Sequence, residues 1–150
     1  MSIICSAATI ISIVVSSIAA LAAIVSAIYA SISSSYVKIN NEMKIREMIA
    51  QAYNIFVTSY EENKNSRGLI CENYLNTLNL ACGLYLTKKV RKKHFEKDHM
   101  RDITRLYTNE IFYEYLDIRK NNYPNLTEVI LKWKVKYDIQ FYTNSNDNKK

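Results

Sequence analysis

The pattern of hydrophobic and polar positions divides the chain into an apolar N-terminal segment and a longer region with helical periodicity. From Ile3 to Ile32 the residues are only Ile, Val, Leu, Ala, Ser, Thr, Cys and Tyr. About 20 apolar residues are enough to cross a hydrocarbon core about 30 Å thick. In lipid, a single segment can satisfy its backbone hydrogen bonds only as a helix. The pattern therefore predicts one membrane-spanning helix that anchors the chain through residues 1–35.

Beyond the anchor, apolar residues recur at three- and four-residue steps, which is typical of amphipathic helices. The first helix is predicted to continue from the anchor to about Tyr60, because neither Pro nor Gly lies between Ser2 and Arg67. The polar stretch 61–68 predicts a loop. Three further helices are predicted over about 69–87, 93–119 and 125–137. These helices predict a domain over residues 36–142, followed by a disordered polar tail over 143–150.

The scarcity of turn residues supports the same fold class. The chain has only 2 Gly and 1 Pro, whereas a sandwich or barrel of many short strands needs such residues at its turns. Asn125 and Glu128 are three residues apart, which is typical of a capping box at the start of the last helix. The predicted fold is all-α: a long N-terminal transmembrane helix that continues into a small bundle of three to four helices.

The distribution of charge predicts the orientation in the membrane. The chain has 20 Lys and Arg and 14 Asp and Glu, all of them from Lys38 onward, so the formal net charge of +6 belongs to the domain. Lys38, Lys44 and Arg46 closely follow the apolar segment. The positive-inside rule then predicts a single-pass protein of the cell inner membrane, with its N-terminus outside and its domain cytoplasmic.

A cleaved signal peptide is the alternative for this segment. Val25-Ser26-Ala27 resembles a cleavage site with small residues. A signal peptide, however, begins with a basic region and has an apolar core of only about 7–15 residues. Here no basic side chain precedes the apolar run, and the run is about twice as long, so a retained anchor is favoured.

Small residues form rows along the predicted span. One row, at four-residue steps, consists of Ala19, Ala23, Ala27 and Ser31, and a second of Ala8, Ser12, Ser16 and Ala20. Small residues at this spacing allow two helix backbones to approach closely, which predicts a homo-oligomer. Ala and Ser make up about half of the segment, so such rows also arise by chance. A serine-lined pore is a further alternative.

A basic cluster follows the second predicted helix, and only Glu96 opposes it locally. Its members are Lys88, Lys89, Arg91, Lys92, Lys93 and Lys97. Such a cluster can bind anionic lipid headgroups or the phosphates of nucleic acids. Nucleic acid is disfavoured, because the sequence contains no recognisable DNA-reading module and the aromatic residues lie on core stripes. A solvated turn between two helices is the third interpretation.

The cysteines, histidines and carboxylates do not form a recognisable catalytic or metal pattern. Cys71 and Cys82 are about 16 Å apart along one helix at a rise of 1.5 Å per residue, too far for a disulfide, which predicts buried free thiols. His94 and His99 are five residues apart and point in different directions. We therefore predict no metal, no cofactor and no catalytic residue. Glu110 and Glu114, one turn apart, are the remaining possibility for acid–base chemistry.

The residues from Glu72 to Arg105, ENYLNTLNLACGLYLTKKVRKKHFEKDHMRDITR, predict two helices around a cationic turn. This layout resembles a broad group of small bacterial proteins that combine one N-terminal span with a compact helical domain. The resemblance implies no enzymatic activity. We expect a membrane-tethered interaction protein that contacts an unknown protein partner and associates with itself. The alternative is a membrane-perturbing effector, similar to parts of phage-defence systems; less favoured is an enzyme with an unfamiliar helical site.

Overall fold

The computed structural model describes residues 2–62, 64–107, 109–113, 115–116 and 122–137, and this part of the chain contains only helices and turns. The predicted all-α fold class is therefore confirmed. The five α-helices are α1, Ser2–Glu62; α2, Arg67–Leu86; α3, Lys92–Leu106; α4, Glu110–Tyr113; and α5, Pro124–Tyr137. The predicted tail over residues 143–150 lies outside the described residues.

The chain divides into two compact units, Met1–Val37 and Lys38–Lys150. The first unit is the apolar part of α1. The part of this helix from Thr9 onward is long and apolar enough to cross a membrane. Two serine hydroxyls donate to the carbonyl one turn earlier, Ser17 to Ile13 at 2.8 Å and Ser35 to Ser31 at 3.0 Å. These bonds satisfy the hydroxyls within the helix, which makes them tolerable in lipid.

The second unit has its own hydrophobic core, in which the backbones of α2 and α5 come close together. Gly83 of α2 allows this approach, because a Cβ atom at this position would lie only 3.0 Å from the side chain of Asn125. The most deeply buried large side chains come from four helices; they are Ile45, Cys71, Leu75, Leu78, Cys82, Ile103, Leu126, Val129, Ile130 and Trp133. Burial of this apolar surface is the main driving force for folding of the domain.

The turn between α1 and α2 is shorter than the sequence predicts. A single 3₁₀ turn, Lys64–Ser66, separates the two helices, so much of the predicted loop over 61–68 is helical. The Arg67 side chain donates to the carbonyl oxygen of Tyr60 at 2.8 Å and lies 4.7 Å from the centre of its ring. It thereby satisfies a carbonyl at the C-terminal end of α1 and adds a cation–π contact. These contacts stabilise the reversal of the chain.

The third predicted helix, over 93–119, is wrong in being continuous, and its last three residues lie outside those that the structure describes. α3 ends at Leu106, and the chain turns at Asn109 before the short α4. The Asn109 side chain accepts a hydrogen bond from the backbone N–H of Ile111 at 3.0 Å. Asn favours such a turn over a helix interior, because its side chain competes for backbone hydrogen bonds. The turn brings Phe112 and Leu116 into the core, and this burial offsets the interruption of the helix.

The start of α5 also differs from the prediction. The side-chain oxygen of Asn79, on α2, accepts hydrogen bonds from the backbone N–H groups of Asn125 and Leu126 at 2.9 and 3.1 Å. The cap is thus supplied by another helix and not by a capping box. Glu128, the expected second member of that box, instead pairs with Lys132 at 2.6 Å.

We expect the Asn79→Ala variant to lose about 1–2 kcal/mol of the free energy of unfolding, because two N–H groups at the start of α5 lose their acceptor. Asn79→Asp keeps an acceptor at a helix N-terminus and should retain most of that stability. Urea titration followed by circular dichroism measures both variants. Equal losses in the two variants would contradict the capping role.

Candidate recognition groove and basic turn

A groove of about 680 Å³ opens in the second unit between α1 and the α3–α4 region. Its floor is apolar and is formed by Ile49, Ala50, Tyr53, Phe56, Tyr74, Leu106 and Phe112. The residues from α1 recur at three- and four-residue steps, so they lie on one helix face. The volume is in the range of ligand-binding clefts, and the length of about three helical turns also suits a peptide helix.

Four aromatic rings of the floor contact one another. The ring of Phe56 lies 5.6 Å from that of Tyr74 and 5.1 Å from that of Phe112. Tyr53 lies 6.0 Å from Tyr74 and is 51% exposed at the mouth of the groove. Burial raises the pKa of Tyr74 to about 12, so its hydroxyl remains protonated at neutral pH. The floor is therefore apolar, uncharged and partly accessible.

The rim of the groove carries charges of both signs. Arg46 of α1 donates to the carboxylate of Asp98 of α3, forming an ion pair between the two helices. Asp102 and Arg105 line the same side on α3, one and two turns further along. Two cations and two anions thus surround an aromatic floor. Tyr, Phe and Arg are enriched in the centres of protein interfaces, so this composition is typical of a surface that contacts another protein.

His99 is the titratable group buried at the groove wall. It is 9% exposed, and its ring lies 5.0 Å from that of Phe95. Burial lowers the pKa of His99, with Arg46 acting in the same direction, although Asp98 and Asp102 oppose the shift. The imidazole is therefore neutral in the folded domain at neutral pH. His94, by contrast, is exposed, and its ring lies 3.7 Å from the Glu42 carboxylate.

We expect the domain to lose stability when the pH falls from about 7.5 to about 5.5, on either side of the usual His pKa. The unfolded chain takes up a proton on His99 at its ordinary pKa of 6.5, whereas the folded chain does so only at lower pH. The contribution of neutral His99 to the free energy of unfolding is therefore fully present above the ordinary His pKa and decreases as the pH falls below it. Thermal unfolding at the two pH values should show a smaller decrease for His99→Gln. His94→Gln keeps His99 and should retain the full decrease; a flat profile for it would contradict the assignment.

A second feature is the basic turn, defined here as residues 87–93 between α2 and the first turn of α3. Five of the six predicted cations are exposed lysines, at positions 88, 89, 92, 93 and 97. Arg91 differs, because its guanidinium donates to both Glu42 oxygens at 2.6 to 3.1 Å. Glu42 also accepts the backbone N–H of Arg91 at 2.7 Å. The side-chain hydrogen bond from Arg91 lowers the pKa of Glu42, against the opposing effect of burial.

The basic turn closes α2 with a left-handed residue that is not glycine. Lys88 has φ of 59°, and the N–H of Lys89 donates to the carbonyl of Leu84 at 2.9 Å. This is the Schellman arrangement, in which Gly is the usual residue because it has no Cβ. The tight turn directs the chain back toward the first turn of the second unit.

The other predicted residues are not brought together. Ala19, Ala23, Ala27 and Ser31 lie on α1 in the first unit, and all four are exposed. Cys71 and Cys82 are buried free thiols, as predicted, and burial raises the pKa of both. Among the described residues no group of His, Cys, Asp and Glu side chains could hold a metal ion. The side chains of Glu110 and Glu114 lie outside the described set.

Sequence reasoning missed the groove and the Glu42–Arg91 contact. The α1 face with Ile49, Tyr53 and Phe56 has the helical periodicity of a core stripe, although it also lines an open groove. Glu42 and Arg91 are 49 residues apart, and no local pattern predicts such a pair. The available signal is weak: Glu42 lies on the apolar face of α1, one turn before Ile45 and two turns before Ile49.

Comparison of the chain with protein-family models, with curated proteins and with solved structures finds no match.

Proposed function

We propose that this chain is a single-pass membrane protein whose helical domain acts without catalysis, by binding a protein partner and by associating with itself. The observation that carries the proposal is the contrast between its two units. Every described side chain from Thr9 to Val37 is exposed and apolar or uncharged, whereas the second unit buries its own core. A helix with so much exposed apolar surface requires lipid or another helix to cover it.

The orientation in this proposal rests on the cations that follow the apolar segment. No charged side chain precedes Lys38, and Lys38, Lys44 and Arg46 follow within nine residues. A cluster of this kind is retained on the cytoplasmic side of a bacterial inner membrane. The domain would then be confined to the cytoplasmic surface, where tethering raises its effective concentration toward other membrane-bound proteins.

The groove is the proposed surface for the protein partner. Its aromatic floor favours an apolar stripe, and its rim holds Arg46 and Arg105 together with Asp98 and Asp102. Charge complementarity then requires a partner with both signs beside that stripe. An amphipathic helix flanked by acidic and basic residues fits this description, by the helix-in-groove mode of recognition.

Photo-cross-linking in native membranes tests the groove. A benzoylphenylalanine at Tyr53, at the mouth of the groove, should give discrete adducts, whereas the same residue at Val135, which is 88% exposed on α5, should not. Substitution of Asp102 by Lys should reduce the Tyr53 adducts. Adducts of equal yield from both positions, or from neither, would contradict the proposed surface.

Self-association is expected along the row Ala19, Ala23, Ala27 and Ser31. Ala23→Leu adds bulk on this face and should reduce a cross-linked product of twice the 17.4 kDa mass of the chain, because small residues are needed for close backbone approach. Ala22→Leu makes the same change about 100° around the helix and is the matched control. If both variants retain the product, the row is not the contact.

A further inference from the structure

The basic turn is fastened to the beginning of the second unit. The Asn41 side-chain amide donates to the carbonyl oxygen of Lys89 at 2.9 Å. One residue further along α1, Glu42 accepts both the backbone N–H and the guanidinium of Arg91. Asn41 is the fourth residue of the second unit. The fold thus holds the basic turn against the first residues of the second unit.

The same contacts leave the lysines of the turn available. Arg91 is neutralised by Glu42, which is 8% exposed. Lys88, Lys89, Lys92 and Lys93 are all exposed, and none of the ion pairs among the described residues involves them. Lys38 lies one turn before Glu42 on the same face of α1 and adds a fifth cation. Lys88 also stands at the left-handed position where the backbone favours glycine.

We propose that the basic turn is a binding site for the phosphate groups of anionic membrane lipids, with its exposed lysines as the ligands and the Glu42–Arg91 pair as the clamp that holds them there. The inference rests on the proposed membrane location. Polybasic segments next to a span are attracted to anionic headgroups, and lysine ammonium groups on flexible stems can follow mobile phosphates. Arg91 positions the turn and does not contact lipid.

Lysine acetylation of the full chain in lipid nanodiscs tests this site. Discs of phosphatidylcholine alone are compared with discs that also contain phosphatidylglycerol, and mass spectrometry gives the acetylation rate at each lysine. We expect Lys88 and Lys89 to react about fivefold more slowly in the anionic discs, because bound phosphates cover the amines. Lys64, exposed in the 3₁₀ turn that follows α1, is the internal reference and should react equally in both discs. High salt should remove most of the protection.

The outcomes separate the possible ligands. Equal rates at Lys88 and Lys89 in the two discs, or slowing that includes Lys64, would overturn the site. Inorganic phosphate, added to phosphatidylcholine discs, could protect the lysines as strongly as phosphatidylglycerol does; this result would assign the site to a soluble anion. Protection by duplex DNA alone would assign the site to nucleic acid. If the chain enters neither disc, the proposed membrane location is wrong. If the chain enters both discs but its lysines are not protected, only the lipid-binding site is wrong.

The clamp is tested by Glu42→Gln in the same discs. Loss of the carboxylate releases Arg91. The acetylation rates of Lys88 and Lys89 should then become nearly equal in the two kinds of disc. Glu47→Gln removes an exposed carboxylate from the same helix and should keep the difference. Circular dichroism of both variants establishes that the helices are intact. Full protection in a folded Glu42→Gln variant would overturn the role of the clamp.

Discussion

The Trp133→Ala variant should lose about 3–5 kcal/mol of the free energy of unfolding, the usual cost of removing a large buried aromatic side chain. Trp133 is 1% exposed and lies on α5, where it faces α2 and α3. Its ring is 5.8 Å from that of Tyr85 and 6.3 Å from that of Phe95. Truncation to alanine leaves a cavity between these rings, since they are held by other contacts and cannot close over it.

Two further variants define this effect. Trp133→Phe keeps an aromatic ring in the same place and should cost roughly 1–2 kcal/mol. Val135→Ala, at an 88% exposed position on the same helix, should change stability by less than about 0.5 kcal/mol. Urea titration of the three variants gives the values. A loss below about 1 kcal/mol for Trp133→Ala would show that α5 is not a core element.

The Leu21→Arg variant should largely fail to enter the membrane. A charged residue at the centre of a span costs about 2.5–3.5 kcal/mol on insertion scales. Sliding the helix toward its C-terminal side does not avoid this cost, because only 16 uncharged residues lie between position 21 and Lys38, fewer than the about 20 that a span needs. Leu21 is 62% exposed in the first unit, so no protein contact within the chain shields the charge.

Val37→Arg introduces the same charge at the end of the uncharged segment and is the matched control. There the guanidinium can reach the headgroup region, and the inserted fraction should remain unchanged. Protease protection and membrane flotation measure insertion of both variants. Equal insertion of Leu21→Arg and Val37→Arg would contradict a spanning role for this part of α1.

The parts of the fold that the sequence predicts well are those fixed by local patterns. α1 runs through to Glu62 because neither proline nor glycine interrupts it, and α5 covers Pro124–Tyr137, where the sequence predicts the last helix. The spacing of Cys71 and Cys82 on one helix likewise predicts that their thiols are free and buried. In each case the periodicity and the distribution of helix breakers contain the required information.

The errors arise where tertiary contacts override a local pattern. The apolar stripe of α3 continues beyond Leu106, but burial of Phe112 requires the chain to turn at Asn109. Asn79 replaces the expected local cap of α5, and it lies 46 residues away from the first N–H group that it binds. No single-sequence pattern predicts such long-range partners, since they depend on how the helices are placed.

The candidate sites follow the same rule. The lysines of the basic turn are evident from the sequence, because they are contiguous. The contacts that hold the basic turn to Asn41 and Glu42 are not evident from the sequence. Without knowledge of these contacts, Arg91 cannot be distinguished from the neighbouring lysines. The groove depends on the gap between α1 and α3, which the Arg46–Asp98 pair bridges at one end. Its apolar residues follow helical periodicity, but whether such a stripe is covered or open is decided only by the folded domain.

Fractionation of cells expressing the full chain, beside a version that lacks residues 1–35, tests the central claim most directly. A membrane-tethered domain predicts that the full chain stays in the membrane pellet after an alkaline wash, while the shortened chain is soluble and unfolds cooperatively as an independent domain. Recovery of the full chain in the soluble fraction, or of the shortened chain in the washed membrane pellet, would contradict the proposal that the apolar part of α1 is the membrane anchor.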